Sequence, residues 1–147
     1  MRNLNPGITL PGESDGGTVL NILGQVFFVK SLCDSSFSFE AHGMPGTFVP
    51  PHIHRTQDEF VYLLEGQMDL TLDGQSHLLR PGGTARMPMG MPHGFTNTGD
   101  RLVKALFWAS PARKLHELFS RIQNMTDTAE MMRISATCEV DFLPPPS

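Results

Sequence analysis

The chain has 147 residues and a mass of 16.2 kDa, one ordinary domain's worth of sequence and long enough to bury a sizeable core. Fifteen acidic against eleven basic residues give a net charge of -4 with no Lys/Arg-rich run, which argues against a nucleic-acid partner. No apolar stretch approaches a membrane span and the first residues lack the apolar core of an export signal, so a soluble cytoplasmic protein with no membrane contact is expected.

In chain order, Met1 to about Gly17 is polar and turn-rich and reads as an arm. Nine apolar runs of strand length follow: Gln25 to Lys30, Phe37 to His42, Thr47 to Val49, Glu59 to Leu64, Met68 to Leu72, His77 to Leu79, Thr84 to Met87, Gly94 to Thr98 and Leu102 to Trp108. Fourteen Gly and twelve Pro punctuate them, and such spacing suggests an all-β sandwich or barrel. Asp73-Gly74 suits a type I′ hairpin, Pro81-Gly82 a type II turn, and Gly99-Asp100 is expected to close another hairpin. After Trp108, Ser110 and Pro111 resemble a helix start, and Leu115, Leu118, Phe119 and Ile122 fall on one helical face ending near Asn124. Asp127 and Glu130 read as a capping box for a second short helix carrying Met131, Met132 and Ile134. The three prolines after Leu143 cannot continue regular structure. Cys33 and Cys138 lie far apart and read as reduced thiols, more suited to burial than to nucleophilic attack.

The chemistry concentrates in two segments. His52 and His54 are one residue apart in an extended stretch, so period-two geometry sends both imidazoles to one face. Glu59 follows a polar loop, and a third imidazole is available at His93. Three histidines and one carboxylate suit a borderline divalent metal and leave positions open for substrate or dioxygen, an arrangement of catalytic more than structural sites. His77 and His116 read as surface residues, His42 as a weaker candidate for a substrate contact, and Met87, Met89 and Met91 as packing or pocket lining.

The stretch from Gly46 to Gly66, GTFVPPHIHRTQDEFVYLLEG, resembles the first cupin motif, G(x5)HxH(x4)E(x6)G, at every fixed position. GGTARMPMGMPHGFTN, read from Gly82, likewise resembles the second, G(x5)PxG(x2)H(x3)N, with Pro88, Gly90, His93 and Asn97 in place. The resemblance implies an all-β cupin jelly-roll barrel with one or two short C-terminal helices. It implies a single domain over 1–147, divided into an arm at 1–20, the barrel at 21–109, helices at 110–136 and a tail at 137–147. It also implies that His52, His54, Glu59 and His93 bind one divalent ion, Fe, Mn, Ni, Co or Zn, with Glu59 acting as ligand or as catalytic base.

Alternation relative to those ligands turns Phe48, Val61, Leu63 and Phe95 inward, and with Met91 and Phe107 they make an apolar pocket. Such a pocket favours a flat or aromatic small molecule over a sugar. The layout resembles small quercetinase-like cupins, which implies a metal-dependent dioxygenase acting on a flavonol-type compound. Two other readings stay open: an oxygen-independent isomerase, lyase or cyclase, and a non-catalytic binding module. Apolar residues on both faces of Glu59 to Leu64 and Leu102 to Trp108 point to a homodimer.

Overall fold

Through Gln25–Leu32 alternate side chains are buried as far as Val29, the period-two signature of a strand with one face on a core. The same pattern organises most of the chain. The computed structural model describes residues 6–144, so the outermost parts of the expected arm and tail, 1–5 and 145–147, lie outside the described residues.

The strands are β1 (Val19–Ile22), β2 (Gln25–Leu32), β3 (Phe37–Gly43), β4 (Phe48–His54), β5 (Asp58–Glu65), β6 (Met68–Leu72), β7 (Gln75–Leu79), β8 (Thr84–Met87), β9 (His93–Thr96), β10 (Val103–Ser110) and β11 (Val140–Phe142). Two helices, α1 (Leu115–Ile122) and α2 (Thr128–Thr137), separate the last two. All nine runs expected from the sequence are strands. β1 and β11 are additions, each too short to show a periodicity of its own.

The expected closed barrel is not what forms. The strands make a six-stranded sheet, β1-β2-β3-β10-β5-β8, and a five-stranded sheet, β11-β4-β9-β6-β7, and among the described residues no strand pairing joins one to the other. The sheets are sealed by side chains instead of a continuous ring of backbone hydrogen bonds. Beside the β1 and β11 edges the helices fill the opening, with α1 against β1 and α2 against β11, and the backbone N–H of Asn124 donates to the Asn21 carbonyl at 2.9 Å.

Asp73 and Gly74, both at positive φ, turn β6 into β7 as the sequence suggests. Gly99-Asp100 does not close a hairpin. It carries the chain from β9 to β10, which belong to different sheets. Ser110 and Pro111 do not start α1 either, because β10 runs through Ser110 and Lys114 stands at the cap position. At α2 the expected cap forms, with the Asp127 side chain accepting from the Glu130 N–H at 3.1 Å.

The core lies between the sheets. Phe37, Phe39, Val61, Leu63, Met68, Leu70, Met87 and Phe107 are buried there, and Leu115, Leu118 and Ile122 of α1 close one side. Cys138 is buried and unpaired, and Cys33 is half-buried. No helix among the described residues is long and apolar enough to cross a membrane.

Candidate metal centre

β4 carries Pro50 and Pro51 in its middle, where its pairing with β9 shifts register between Val49 and His52. Two residues without backbone donors are tolerated at such a bulge. The bulge resets the alternation, so Val49, His52 and His54 all turn inward. Phe48, expected to line the pocket, is therefore 54% exposed, and Val49 takes the wall position in its place.

His93 opens β9 directly opposite His52. The next residue, Gly94, lets the strands come this close: a Cβ there would sit 2.7 Å from the Val49 carbonyl oxygen and 3.0 Å from the Pro51 nitrogen. Glu59 comes from the other sheet, on β5, so the site spans the space between the two layers. His52, His54, Glu59 and His93 are all buried.

The hydrogen bonds define what each imidazole offers. His52 Nδ1 donates to the Pro50 carbonyl at 2.8 Å, His54 Nδ1 to Gln57 Oε1 at 2.8 Å, and His93 Nδ1 to the Met91 carbonyl at 3.3 Å. Each Nδ1 therefore holds the proton of the neutral ring, leaving the Nε2 lone pair bare. The three rings offer ligand atoms within 4.8 Å of one another. His54 Nε2 and His93 Nε2 are buried without a hydrogen-bond partner among the described residues. Glu59 Oε2 lies 2.8 Å from His54 Nε2. With the His54 proton on Nδ1, that contact sets a lone pair against a carboxylate, and only a proton or a cation relieves it.

The electrostatics agree. Burial, reinforced by the neighbouring imidazoles, lowers His52 to about 3. Burial also lowers His93. At His54 burial works against the charge, but the Glu59 carboxylate and the Gln57 hydrogen bond prevail and the value rises. Burial alone would raise Glu59; His54 first, then His93 and His52, outweigh it and bring the carboxyl to about 2. Three convergent nitrogen donors beside a carboxylate fit a divalent transition ion.

Two supporting residues were not singled out by sequence reasoning. Gln57, 3% exposed, accepts from His54 and donates from Nε2 to the Pro111 and Ala112 carbonyls at 2.9 and 3.1 Å, tying the centre to the segment that leads into α1. Gln25, 2% exposed, lines the adjoining cavity with its Nε2 unpartnered among the described residues. A buried amide left unpaired costs about 1–3 kcal/mol. Neither glutamine carries a spacing signal, although a buried amide next to a ligand is a recurring support.

The cavity has a volume of about 60 Å³ and is walled by His52, His54 and Glu59, by Phe95 and Phe107, by Leu115, Leu118 and Phe119 of α1, and by Phe142 of β11; His93 does not line it. Val61 and Leu63 are fully buried in the core and Met91 is half-buried, and none of these three expected pocket residues lines the cavity. His42 lies away from the cavity and faces the opposite side of β3, where it bonds to Glu40. His77 is exposed, and His116 stands edge-on against Phe37 at 5.4 Å.

Residues 39–109 match a family described as "Cupin domain". The chain is 33% identical over 101 residues to "Polyketide synthase CurC" of Streptomyces cyaneus, covering 69% of this chain and 64% of that one. It is 34% identical over 88 residues to "Quercetin 2,3-dioxygenase" of Bacillus subtilis strain 168, covering 60% of this chain and 26% of that one. It is 35% identical over 101 residues to "Protein SchB" of Streptomyces halstedii, covering 69% of this chain and 71% of that one. The match thus spans less than two thirds of the first two relatives.

Proposed function

The chain belongs to the cupin superfamily, and from that premise we propose that it is a metal-dependent dioxygenase of an aromatic, enolic small molecule of the flavonol type. The observation that carries the reading is the cluster of three imidazoles beside Glu59, of which His52, His54 and Glu59 stand in the wall of a cavity lined mainly by apolar side chains. The similarity to a quercetin dioxygenase supports the choice of substrate class.

A divalent ion held by His52, His54 and His93 would supply a Lewis-acidic centre with open positions for a substrate oxygen and dioxygen. The chain's own part is proton removal. Burial favours the neutral form of Glu59, but the neighbouring imidazoles keep its carboxyl ionised, so a carboxylate is available to take a proton. Its carboxylate then accepts the proton of a substrate enol or phenol. Phe95, Phe107 and Phe119 pack the hydrocarbon part and exclude water. A void of about 60 Å³ is well below the roughly 150 Å³ that admits a benzene ring. Entry of a flavonol therefore requires the α1 and β11 side of the wall to move.

Similarity to a protein named as a polyketide synthase favours a second reading, an oxygen-independent cyclisation, isomerisation or lyase reaction that begins with the same proton removal. We also propose a homodimer formed through the outer face of the six-stranded sheet, where Phe60 stacks on Trp108 at 5.2 Å beside exposed Tyr62 and Leu64.

The test is loss of flavonol absorbance, with and without dioxygen, by protein loaded separately with Fe, Mn, Ni and Co. Dioxygen-dependent loss is expected. Glu59→Gln should lower turnover by about 10²–10⁴-fold while keeping the metal. Loss without dioxygen selects the second reading, and tight flavonol binding without turnover selects a binding module. A Glu59→Gln protein that loses its metal, with its loaded fraction fully active, contradicts the base role.

A further inference from the structure

Gln25 occupies a row of inward side chains, Gln25, Phe27 and Val29, where every other member is hydrocarbon. Its backbone is held by the β1–β2 hairpin, in which it pairs with Ile22 across the tight Leu23-Gly24 turn, so the carboxamide stands on a rigid support. Apart from the metal-site side chains, the polar residues of the cavity wall are Gln25 and Ser135. Ser135 Oγ already donates to the Met131 carbonyl at 2.7 Å within α2. Gln25 Nε2 has no partner among the described residues.

Gln25 also borders a second void of about 10 Å³, together with Thr47 and Asn97. Those neighbours are committed elsewhere. Thr47 Oγ1 donates to the Met44 carbonyl, Asn97 Nδ2 to the Gly43 and Arg101 carbonyls, and Asn97 Oδ1 accepts from the Gly99 N–H. Among the described residues of the cavity wall, Gln25 thus carries the uncommitted neutral donor, separate from the histidines and set in apolar surroundings.

We propose that Gln25 is the second polar contact of the bound substrate, donating from Nε2 to an acceptor oxygen distinct from the oxygen held at the histidines. The proposal rests on the reading of this cavity as the substrate site and narrows the substrate class. The substrate is an aromatic body with at least two oxygens, the inner one a carbonyl or phenolic acceptor. An orphan donor of this kind rejects a ligand that lacks the acceptor, because the buried amide then stays unpaired.

The test uses a matched pair of probes, acetophenone and α-methylstyrene, which differ in having C=O or C=CH₂ at the same place. Each is titrated into metal-loaded wild type, Gln25→Leu and Gln25→Met, with the Gln25 side-chain ¹⁵N–¹H signals followed in the wild type. The wild type is expected to prefer the ketone by about tenfold, with the Gln25 signals moving for the ketone alone. Both variants should bind the two probes within about twofold of each other. A ketone preference that persists in both variants overturns the proposal, because it then comes from the metal. Equal binding of the two probes by the wild type overturns it as well, as does failure of the ketone to bind. A preference carried by Gln25 without flavonol turnover would refute the dioxygenase reading and leave this one standing. Flavonol turnover with an unchanged preference in Gln25→Met would do the reverse.

Discussion

The two sides of the cavity are built on different physics. On the β4, β9 and β5 side every imidazole is oriented by a hydrogen bond through Nδ1, and the bulge at Pro50-Pro51 and the bare backbone of Gly94 set the strand spacing. On the α1 and β11 side the wall is Leu115, Leu118, Phe119, Ile122, Val140 and Phe142, whose side chains carry no polar group and pack against one another, the backbone of β11 being paired to β4. Directional bonds fix a side chain's angle, whereas apolar contacts set volume and tolerate repacking. The fold therefore assigns ligand geometry to the sheets and the space available to a ligand to the C-terminal segment. This division is crossed where Gln57 bonds a metal-site histidine and the start of the C-terminal segment at once, and where the β11 backbone pairs with β4 at His52 and His54.

The division is sharpest at Leu118, 2% exposed on α1. Leu118→Ala should cost about 3 kcal/mol of unfolding free energy, measured by urea denaturation, and should enlarge the cavity without changing metal affinity. A parallel loss of metal affinity would show that the two sides are not independent. Gln57→Leu cuts across both sides. Freed of its Nδ1 acceptor, His54 should hold the metal about 10–100-fold more weakly, read by competition with a chelator, and α1 should lose amide-exchange protection at its start.

The smallest effect lies away from both sides, at Glu40. Burial would raise this carboxyl, but the His42 hydrogen bond, the Gly12 N–H and Lys30 prevail and hold it below its usual 4.5. A carboxyl depressed in the folded state contributes stability above its unfolded value. That contribution disappears as the pH falls through the folded one. The melting temperature should therefore decline below about pH 4.5 through a component that Glu40→Gln removes, with metal binding at neutral pH unaffected. A shift in neutral-pH metal affinity would connect the N-terminal segment to the centre.

The parts of this architecture readable in the sequence are those with a period or a fixed spacing. β2 and β10 announce themselves by alternation, α1 by Leu115, Leu118 and Ile122 on one face, and the histidines by the intervals that place them. Sheet membership was not readable, because a short turn such as Gly99-Asp100 looks the same whether it closes a hairpin or carries the chain between layers. Two sheets whose edges are sealed by helices present the same strand pattern as a closed barrel. Phe48 was misplaced because alternation counted across Pro50-Pro51 ignores the bulge that two prolines introduce. Gln57 and Gln25 carry no spacing at all. Their significance lies in burial and in whether each amide group has a partner, which only the folded chain reveals.

Three neutral imidazoles with their ligand atoms within 4.8 Å of one another should hold one cation. Cobalt(II) titration followed by visible absorption tests it most directly, on wild type and on His52→Ala, His54→Ala and His93→Ala. One ion per chain is predicted for the wild type, with ligand-field bands that each substitution abolishes or greatly weakens. Wild-type affinity and an unchanged spectrum in any one of the three variants would contradict it.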